Sequence, residues 1–576
     1  MTEETVAAAE RLARDRPPAD PRRWQALGVL LVAAFMQLVD ISIVNVAIPS
    51  IQRDLAATFA QVQWVLAGYQ LAFAVVLITG GRLGDIFGRK RLFMLGIGGF
   101  TVASALCGLA QNAGMLVGSR VFQGVMGALM FPQVLSLTQV LFPPRERGTA
   151  FGIFGAVIGL ATISGPLVGG LLIQGNLLQL DWRPIFLVNL PLGVLAVVAA
   201  AFLLPESRAE DAPRLDPVGV LLVTAGLLLL VYPLVEGRDL GWPAWAFAMM
   251  AASGPLFAVF TAYERRKSAR DGSPLVVLEL FRERAFVAGL LVSLAFFAGV
   301  AAFFLVFSIY LQIGLGFTAL HAGLTTIPFS AGSALASGAS VRLAPRLGRR
   351  VLHLGSLLLL AGMVGVTVTV AHYGTRIHSW QLLPALAVCG LGLGTVVAPL
   401  INVILAGIQG RHAGSASGVL TTIQQVGGAM GVAIIGVVFF GVLGSHAAAT
   451  ADGVTPELRG QLRALRLPAP VQERVVAGFR TCFQDRSSAK DPSVTPPSCQ
   501  RLQAQAGGGA VPADVGRRIG QATAAVGVAA RKQIFSTAIR RAVAYEIAVY
   551  GLSFLLVFLL PNVRGRRLAA GGAAAA

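Results

Sequence analysis

Apolar and polar positions alternate along this chain on a long wavelength. Runs of about 20 mostly apolar residues, enough to cross a bilayer as a helix, are separated by short polar turns. Fourteen such segments start near Ala26, Val62, Leu92, Gly114, Ala150, Pro184, Pro217, Pro243, Phe286, Leu320, Val351, Gln381, Val419 and Ala542. The pattern predicts an all-α polytopic membrane protein with fourteen transmembrane helices. A tight basic turn, Gly80-Gly81-Arg82-Leu83-Gly84-Asp85-Ile86-Phe87-Gly88-Arg89-Lys90-Arg91-Leu92, follows segment 2. A weaker copy runs from Ser340 to Leu352 after segment 10, with Arg342-Leu343 and Gly348-Arg349-Arg350 at the same offsets. Turns repeated at matching places imply a duplication, as in secondary transporters. The expected order is therefore six, two and six helices. A tail at 1–25 precedes a six-helix bundle at 26–204, and 205–284 is a linker holding the two extra helices. A second six-helix bundle spans 285–561, with a long hydrophilic loop at 445–541, and a tail at 562–576 ends the chain.

Composition agrees with this reading, since 55% of the 576 residues are hydrophobic and only 13% are charged. The net charge of +19 would suit nucleic acid if it were clustered on a soluble surface. Its distribution points elsewhere. With the N-terminus in the cytoplasm, the short inner loops carry about nineteen Lys and Arg and the short outer loops about four. That is the positive-inside bias, and it places both termini in the cytoplasm and excludes nucleic acid as a partner. The first segment, about 22 residues long, exceeds a signal-peptide apolar region and no small-x-small cleavage site follows it, so it is expected to remain as a helix. The 445–541 loop then lies outside. An oxidising exterior permits a disulfide between its Cys482 and Cys499, although sequence does not show them close enough to bond. Cys107 and Cys389 fall in apolar helices and read as packing residues.

Ionisable side chains inside a bilayer are costly and usually face a cavity or a partner. Asp40 lies about 14 residues into segment 1 and Arg120 about 6 residues into segment 4. At 1.5 Å per residue both fall roughly 9–12 Å from the outer end of their helices, and so share one depth. A carboxylate facing an arginine in a partly wet cavity makes a proton switch, because burial and the cation pull its proton affinity in opposite directions; a static ion pair fixing helix packing is the alternative. Glu546, near the start of segment 14, is expected at a solvated headgroup position. Segment 5 holds Gly152, Gly155 and Gly159, then Ser164-Gly165-Pro166-Leu167-Val168-Gly169-Gly170. Small residues allow close helix approach and proline permits a kink, so a hinge or tight interface between the halves is expected. The other polar residues inside segments are Gln37, Asn45, Tyr69, Gln70, Gln123, Gln133, Asn189, Gln312, Asn402, Gln424 and Gln425. Gln37, Asn45, Tyr69, Gln70, Gln123, Gln312 and Gln424 are the candidates for a substrate cavity. No metal-like His/Cys cluster and no phosphate-binding Gly-Lys-Ser loop occurs in the sequence. A secondary transporter, not an enzyme, is expected, without cofactors and driven by an ion gradient; the membrane potential supplies about 2.3 kcal/mol per charge per 100 mV.

With these residues in place the chain resembles the major facilitator superfamily, specifically its fourteen-helix drug:proton antiporters of the EmrB/QacA type. Gly81-x-Leu83-x-Asp85-x-x-Gly88-Arg89-Lys90 resembles the signature between helices 2 and 3. Arg120-x-x-Gln123-Gly124 resembles the helix 4 signature, and Gly165-Pro166-x-x-Gly169-Gly170 the antiporter signature of helix 5, with Ala161 where a glycine is usual. The stretch 40–49, Asp181-Trp182-Arg183 with Phe186, Asn189 and Pro191, and the stretch 413–431 resemble further signatures of the fourteen-helix group. The resemblance implies that Asp40 and Arg120 serve proton coupling and that Gly81, Asp85, Gly88, Arg89 and Lys90 form a conformational latch. The second turn has Pro345 in place of Asp85, so any latch there is weaker or differently built. Segment 10 has no acidic residue, which implies a monocationic, zwitterionic or neutral amphiphile as substrate. The expected protein is a proton-driven multidrug or antibiotic exporter of a bacterial cytoplasmic membrane, a monomer whose partners are the small molecule, protons and membrane lipids. A lipid or envelope-precursor exporter of the same fold, and a membrane sensor using the outer loop, are the alternatives.

Overall fold

The computed structural model describes residues 21–176, 179–208, 214–405, 408, 413–489, 495–507 and 513–561. Most of the two expected tails lies outside the described residues, and so do the side chains of Arg342 and Pro345 in the second basic turn. The helices are α1 (Arg23–Asp54), α2 (Phe59–Phe87), α3 (Arg89–Gly108), α4 (Ala113–Leu141), α5 (Pro144–Gly175) and α6 (Pro184–Leu203). They continue with α7 (Pro217–Glu236), α8 (Ala244–Asp271), α9 (Arg284–Gly314), α10 (Ala319–Leu347), α11 (Arg350–Tyr373) and α12 (Ser379–Leu405). The last four are α13 (Ala413–Ala464), α14 (Ala469–Ser488), α15 (Pro497–Gly507) and α16 (Ala513–Leu556).

Helix starts are set by local chemistry. Thr58 and Gln61 close a reciprocal capping box on α2, with Thr58 N–H donating to Gln61 at 2.9 Å and Gln61 N–H to Thr58 at 3.2 Å. Asn112 caps α4 and Thr318 caps α10 by accepting the N–H three residues on. Among the described residues twelve helices are long and apolar enough to cross a membrane. Of the expected fourteen, α5 and α10, 32 and 29 residues long, are not among those twelve. In α10 the apolar run is diluted by Ser, Thr, Gly and His.

The duplication implied by the two basic turns is written into the packing. In the first half α2 and α3 pack on α4, α1 on α5, and α3 on α6. The helices of the same rank in the second half, α9–α13 and α16, repeat this: α10 and α11 pack on α12, α9 on α13, and α11 on α16. The halves meet along two seams, α2 against α13 and α5 against α10, with α1 and α9 between them. The hairpin α7–α8 docks outside the first seam, where Leu227, Val231 and Val235 of α7 join Leu71 and Ala74 of α2 and Val426 and Ala433 of α13 in one apolar cluster.

The expected hydrophilic loop at 445–541 is instead mostly helical. α13 and α16 run 52 and 44 residues, well beyond the roughly 20 that a bilayer needs, and project from the bundle. With α14 and α15 they form an appendage with its own core, including Val454, Leu458, Leu462, Val475, Val476, Phe479, Ile519 and Val526. A disulfide joins Cys482 of α14 to Cys499 of α15. Hydropathy windows missed this unit because its helices are amphipathic and bury only one stripe each.

Candidate functional site

The expected pair of rare ions meets inside the first half. Arg120 of α4 donates to Asp40 of α1 at 2.5 Å, and the two side chains are 1% and 0% exposed. Three neutral groups complete the site. Gln123 donates to Asp40 Oδ1 at 2.9 Å and to Ser104 at 2.7 Å, while accepting from Arg120 at 2.5 Å. Asn189 of α6 donates to the same Asp40 oxygen at 3.1 Å and to Ser104 of α3 at 3.2 Å. Arg120 Nε donates to the Val65 carbonyl of α2 at 3.1 Å, and its guanidinium lies 4.3 Å from the centre of the Tyr69 ring. The helix 4 glycine explains that stacking: a Cβ at Gly124 would collide with the Tyr69 carbonyl, so only glycine lets α4 come close enough to α2. The expected partly wet cavity is not seen here. Asp40 is sealed among five helices, because Gln123, Asn189 and Ser104 take the places water would occupy. A buried pair is favourable only when such added hydrogen bonds satisfy its remaining atoms.

The basic turn is a second polar centre. Gly88 ends α2 and begins α3 with φ +111°, a backbone conformation that favours glycine, and a Cβ there would also sit 2.5 Å from Glu206. Arg89 pairs with Asp85 at 2.8 Å, and its backbone N–H donates to Ser207 at 2.9 Å. Lys90 donates to the Ala201 carbonyl at 2.6 Å, and its backbone N–H to Glu206 at 3.2 Å. Thus Gly88, Arg89 and Lys90 engage the end of α6 and the residues just after it, Asp85 holds Arg89 in place, and Gly81 has only Pro132 nearby. Arg82, not singled out from sequence, reaches the other way. It donates to the carbonyls of Arg214 (3.0 Å), Ser273 (3.2 Å), Pro274 and Leu275 (3.3 Å). Behind it lie two buried carboxylates: Asp216 accepts from Gly219 N–H, Tyr263 and Leu275 N–H, and Glu264 from Val276 N–H. This clasp ties the α7–α8 hairpin to the basic turn.

The glycines of α5 make two close contacts. Gly165 and Gly169 lie against Ser42 and Ile43 of α1, and a Cβ on Gly170 would stand 2.7 Å from Leu320 Cα across the seam. The Pro166 carbonyl abuts Gly323 of α10. Nearby, Ser308 of α9 donates to the Asn45 carbonyl at 2.6 Å, and Gln312 to the Val46 carbonyl at 2.8 Å. Gln63 donates across the other seam to the Val432 carbonyl at 2.7 Å. These bonds close the halves together on the side facing the appendage. Between them remains a cavity of about 60 Å³ bordered by Asn45, Ser42, Pro166, Phe307, Ser308 and Thr326. That is well below the 300–1,000 Å³ usual for a small-molecule site.

The candidate cavity residues therefore divide. Asn45 and Gln312 both lie at the α1–α9 contact, where the Asn45 carbonyl accepts from Ser308 and Gln312 donates to the Val46 carbonyl, and Gln70 lies against Gly428 at the α2–α13 seam. Gln37, Tyr69 and Gln123 are buried inside the first half, and Gln424 is half-buried on α13. Ser104, Gln63, Arg82 and Ser308 are among the polar contacts that sequence reasoning missed. Glu546 is a correction. It is 0% exposed, not at a headgroup position, and both carboxylate oxygens lack a hydrogen-bond partner. A Cβ on Gly299, midway along α9, would be 2.8 Å from Glu546 Oε2 and equally close to Tyr550. Outside the membrane-spanning helices, burial raises the Asp181 carboxyl above the usual carboxylate range; Arg53 and Arg183 oppose the shift and Asp54 adds to it.

Comparison with known proteins identifies the family and the fold. The profile of the Major Facilitator Superfamily matches residues 30–432. A protein named "Probable actinorhodin transporter" from Streptomyces coelicolor is 44% identical over 95% of this chain and 93% of its own. "Tetracenomycin C resistance and export protein" from Streptomyces glaucescens is 37% identical over 72% of this chain and 76% of its own. "Multidrug efflux pump LfrA" from Mycolicibacterium smegmatis is 30% identical over 80% and 91%. Among solved structures, a bacterial homolog of the human lysosomal transporter Spinster shares the fold, with a TM-score of 0.57 and 16% identity over 94% of this chain and 98% of its own. The chain is a multi-pass membrane transporter, not an enzyme, and belongs to the Major Facilitator Superfamily.

Proposed function

We propose that this protein exports lipophilic small molecules, antibiotics among them, from the bacterial cytoplasm in exchange for protons. Relatives named for antibiotic export and multidrug efflux support the direction and the substrate type. The observation that carries proton exchange is the Asp40–Arg120 pair. Asp40 is neutralised either by Arg120 or by a proton, and a proton would release the guanidinium and the Gln123–Asn189–Ser104 network with it. Because Asp40 is sealed here, exchange with water belongs to another state of the alternating-access cycle. In that state the seam opens at Asn45, Ser308 and Gln312, and Asp85, Arg89 and the end of α6 act as its latch. The excess of Lys and Arg in the short inner loops supports a topology of fourteen spans with both termini in the cytoplasm, in which the appendage lies outside. The acid-free α10 favours a neutral or monocationic substrate along the seam.

The test uses proteoliposomes with an imposed pH gradient, a panel of fluorescent amphiphiles including ethidium, and wild type against Asp40→Asn. Uphill movement by wild type and none by the variant is expected. Equal pumping by both would make Asp40 structural and place proton coupling elsewhere.

A further inference from the structure

A cavity of about 1140 Å³ lies between the appendage and the bundle, framed by the end of α1, the start of α2, the end of α9 and the inner faces of α14–α16. It is slightly above the roughly 300–1,000 Å³ usual for a small-molecule site, and so roomy enough for a drug-like molecule, unlike the small void at the seam. Its lining has a one-sided charge. Arg53, Arg486, Arg517 and Arg531 border it, and none of its lining residues is acidic. None of these four forms an ion pair with a described residue. Of the appendage acids, Asp452 pairs with Arg480, Glu473 with Arg459 at 3.0 Å, and Asp485 accepts from Ser498 at 2.5 Å, while Asp514, one turn before Arg517, is not among the lining residues. Four guanidiniums around one space repel one another, and an anion between them removes that cost.

The remaining wall is aromatic. Phe59, Phe479, Phe483 and Phe535 line the cavity. Phe479 and Phe483 present stacked rings with centroids 6.0 Å apart and planes 20° apart. Guanidinium planes and phenyl faces together suit a flat ring system bearing a carboxylate, sulfonate or phenolate, since arginine both pairs with the anion in a fork and stacks on the ring. The Cys482–Cys499 disulfide also lies in the wall and ties α14 to α15 beside Phe483 and Arg486.

We propose that this cavity is a binding site for organic anions with a flat aromatic body. That charge class lies outside the monocationic, zwitterionic or neutral set implied by the acid-free α10. The site's existence does not depend on the export reading; only its use as an exit station for a transported compound rests on it.

The experiment uses the full chain in nanodiscs of neutral phosphatidylcholine and two probes with the same rings and opposite charge, 2-naphthoate and 2-naphthylmethylammonium. Saturable binding is measured by equilibrium dialysis for wild type, Arg486→Gln, Arg531→Gln and Phe479→Ala. Naphthoate is expected to saturate and the ammonium not to. Each arginine variant should weaken naphthoate binding about tenfold, the loss of one hydrogen bond to a charged group. Both arginines are exposed, so neither change should disturb the fold. Failure of naphthoate to saturate, equal binding of the two probes, or unchanged affinity in both arginine variants would overturn the proposal. Loss of naphthoate binding when phosphatidylglycerol is added would overturn it too, by making the cavity a lipid headgroup site. Naphthoate binding without any proton-driven efflux would count against the export reading alone.

Discussion

Asp40 and Glu546 are both fully buried carboxylates in membrane-length helices, but their surroundings are opposite. Asp40 faces a guanidinium and two amide donors, whereas neither Glu546 oxygen has a partner. Removing one partner of a buried pair strands the other, so Asp40→Leu should cost about 3–5 kcal/mol. Glu546→Met removes an unsatisfied buried group at similar volume and should stabilise by about 1–3 kcal/mol. Thermal unfolding of both variants in the same detergent tests the contrast; a Glu546→Met as damaged as Asp40→Leu would show that the glutamate does have a partner. The first pair was legible because ions are rare within the apolar segments and these two reach one depth on antiparallel helices. Ser104 was not legible, since a single serine in an apolar helix carries no signal until the fold brings it beside Gln123 and Asn189. Glu546 departs from the expected headgroup position because the apolar run near Ala542 is not where its helix starts. The helix begins at Ala513, and Glu546 lies deep within it.

At the scale of elements, two polar constructions hold pieces that hydropathy alone left loose. The Cys482–Cys499 bridge closes a separation of 17 residues, for which loop-closure entropy gives about 3 kcal/mol. Replacing both cysteines by serine should therefore raise hydrogen exchange and protease cleavage in α14 and α15 while α1–α6 keep their protection. Equal loosening of bundle and appendage would show that they unfold as one unit. The appendage could have been found from sequence: Val454, Leu458 and Leu462 recur every four residues, the spacing of a buried helical stripe. The second construction is the Arg82 clasp. Arg82→Ala leaves the carbonyls of Ser273, Pro274 and Leu275 without their donor, at a cost of about 2–3 kcal/mol for hydrogen bonds to a charged group. Faster hydrogen exchange confined to residues 214–220 and 272–278 is the expected result, and an unchanged pattern would mean that Asp216 and Glu264 hold the linker by themselves. Here the sequence showed the basic turn but not its partners, because they lie about 130 and 190 positions away.

For the molecule as a whole, the repeat and its two basic turns were legible, and the helix pairs of one half recur in the other. The seams were not, because which small residues face across them depends on how the halves dock. On the appendage side the halves meet backbone to backbone where Gly323 of α10 meets the Pro166 carbonyl and Gly170 of α5 meets Leu320. A hydrogen atom is all that fits at Gly323; the obstacle is backbone, which cannot rotate away as a flexible side chain would. Gly323→Leu should thus wedge the halves apart at this end while leaving the contacts inside each half intact. Its consequences extend to α1 and α9, since a parted seam also stretches the Ser308–Asn45 and Gln312–Val46 hydrogen bonds. If transport requires this closure as one state of its cycle, the variant should be expressed and folded yet lose at least about tenfold of its flux, a barrier increase of about 1.4 kcal/mol. A cysteine at Ser42, beside the small cavity, should at the same time react faster with a membrane-impermeant thiol reagent added from the appendage side. Full flux with unchanged labelling would mean that α5 and α10 accommodate the side chain without parting, and the tight glycine contact would then be packing alone.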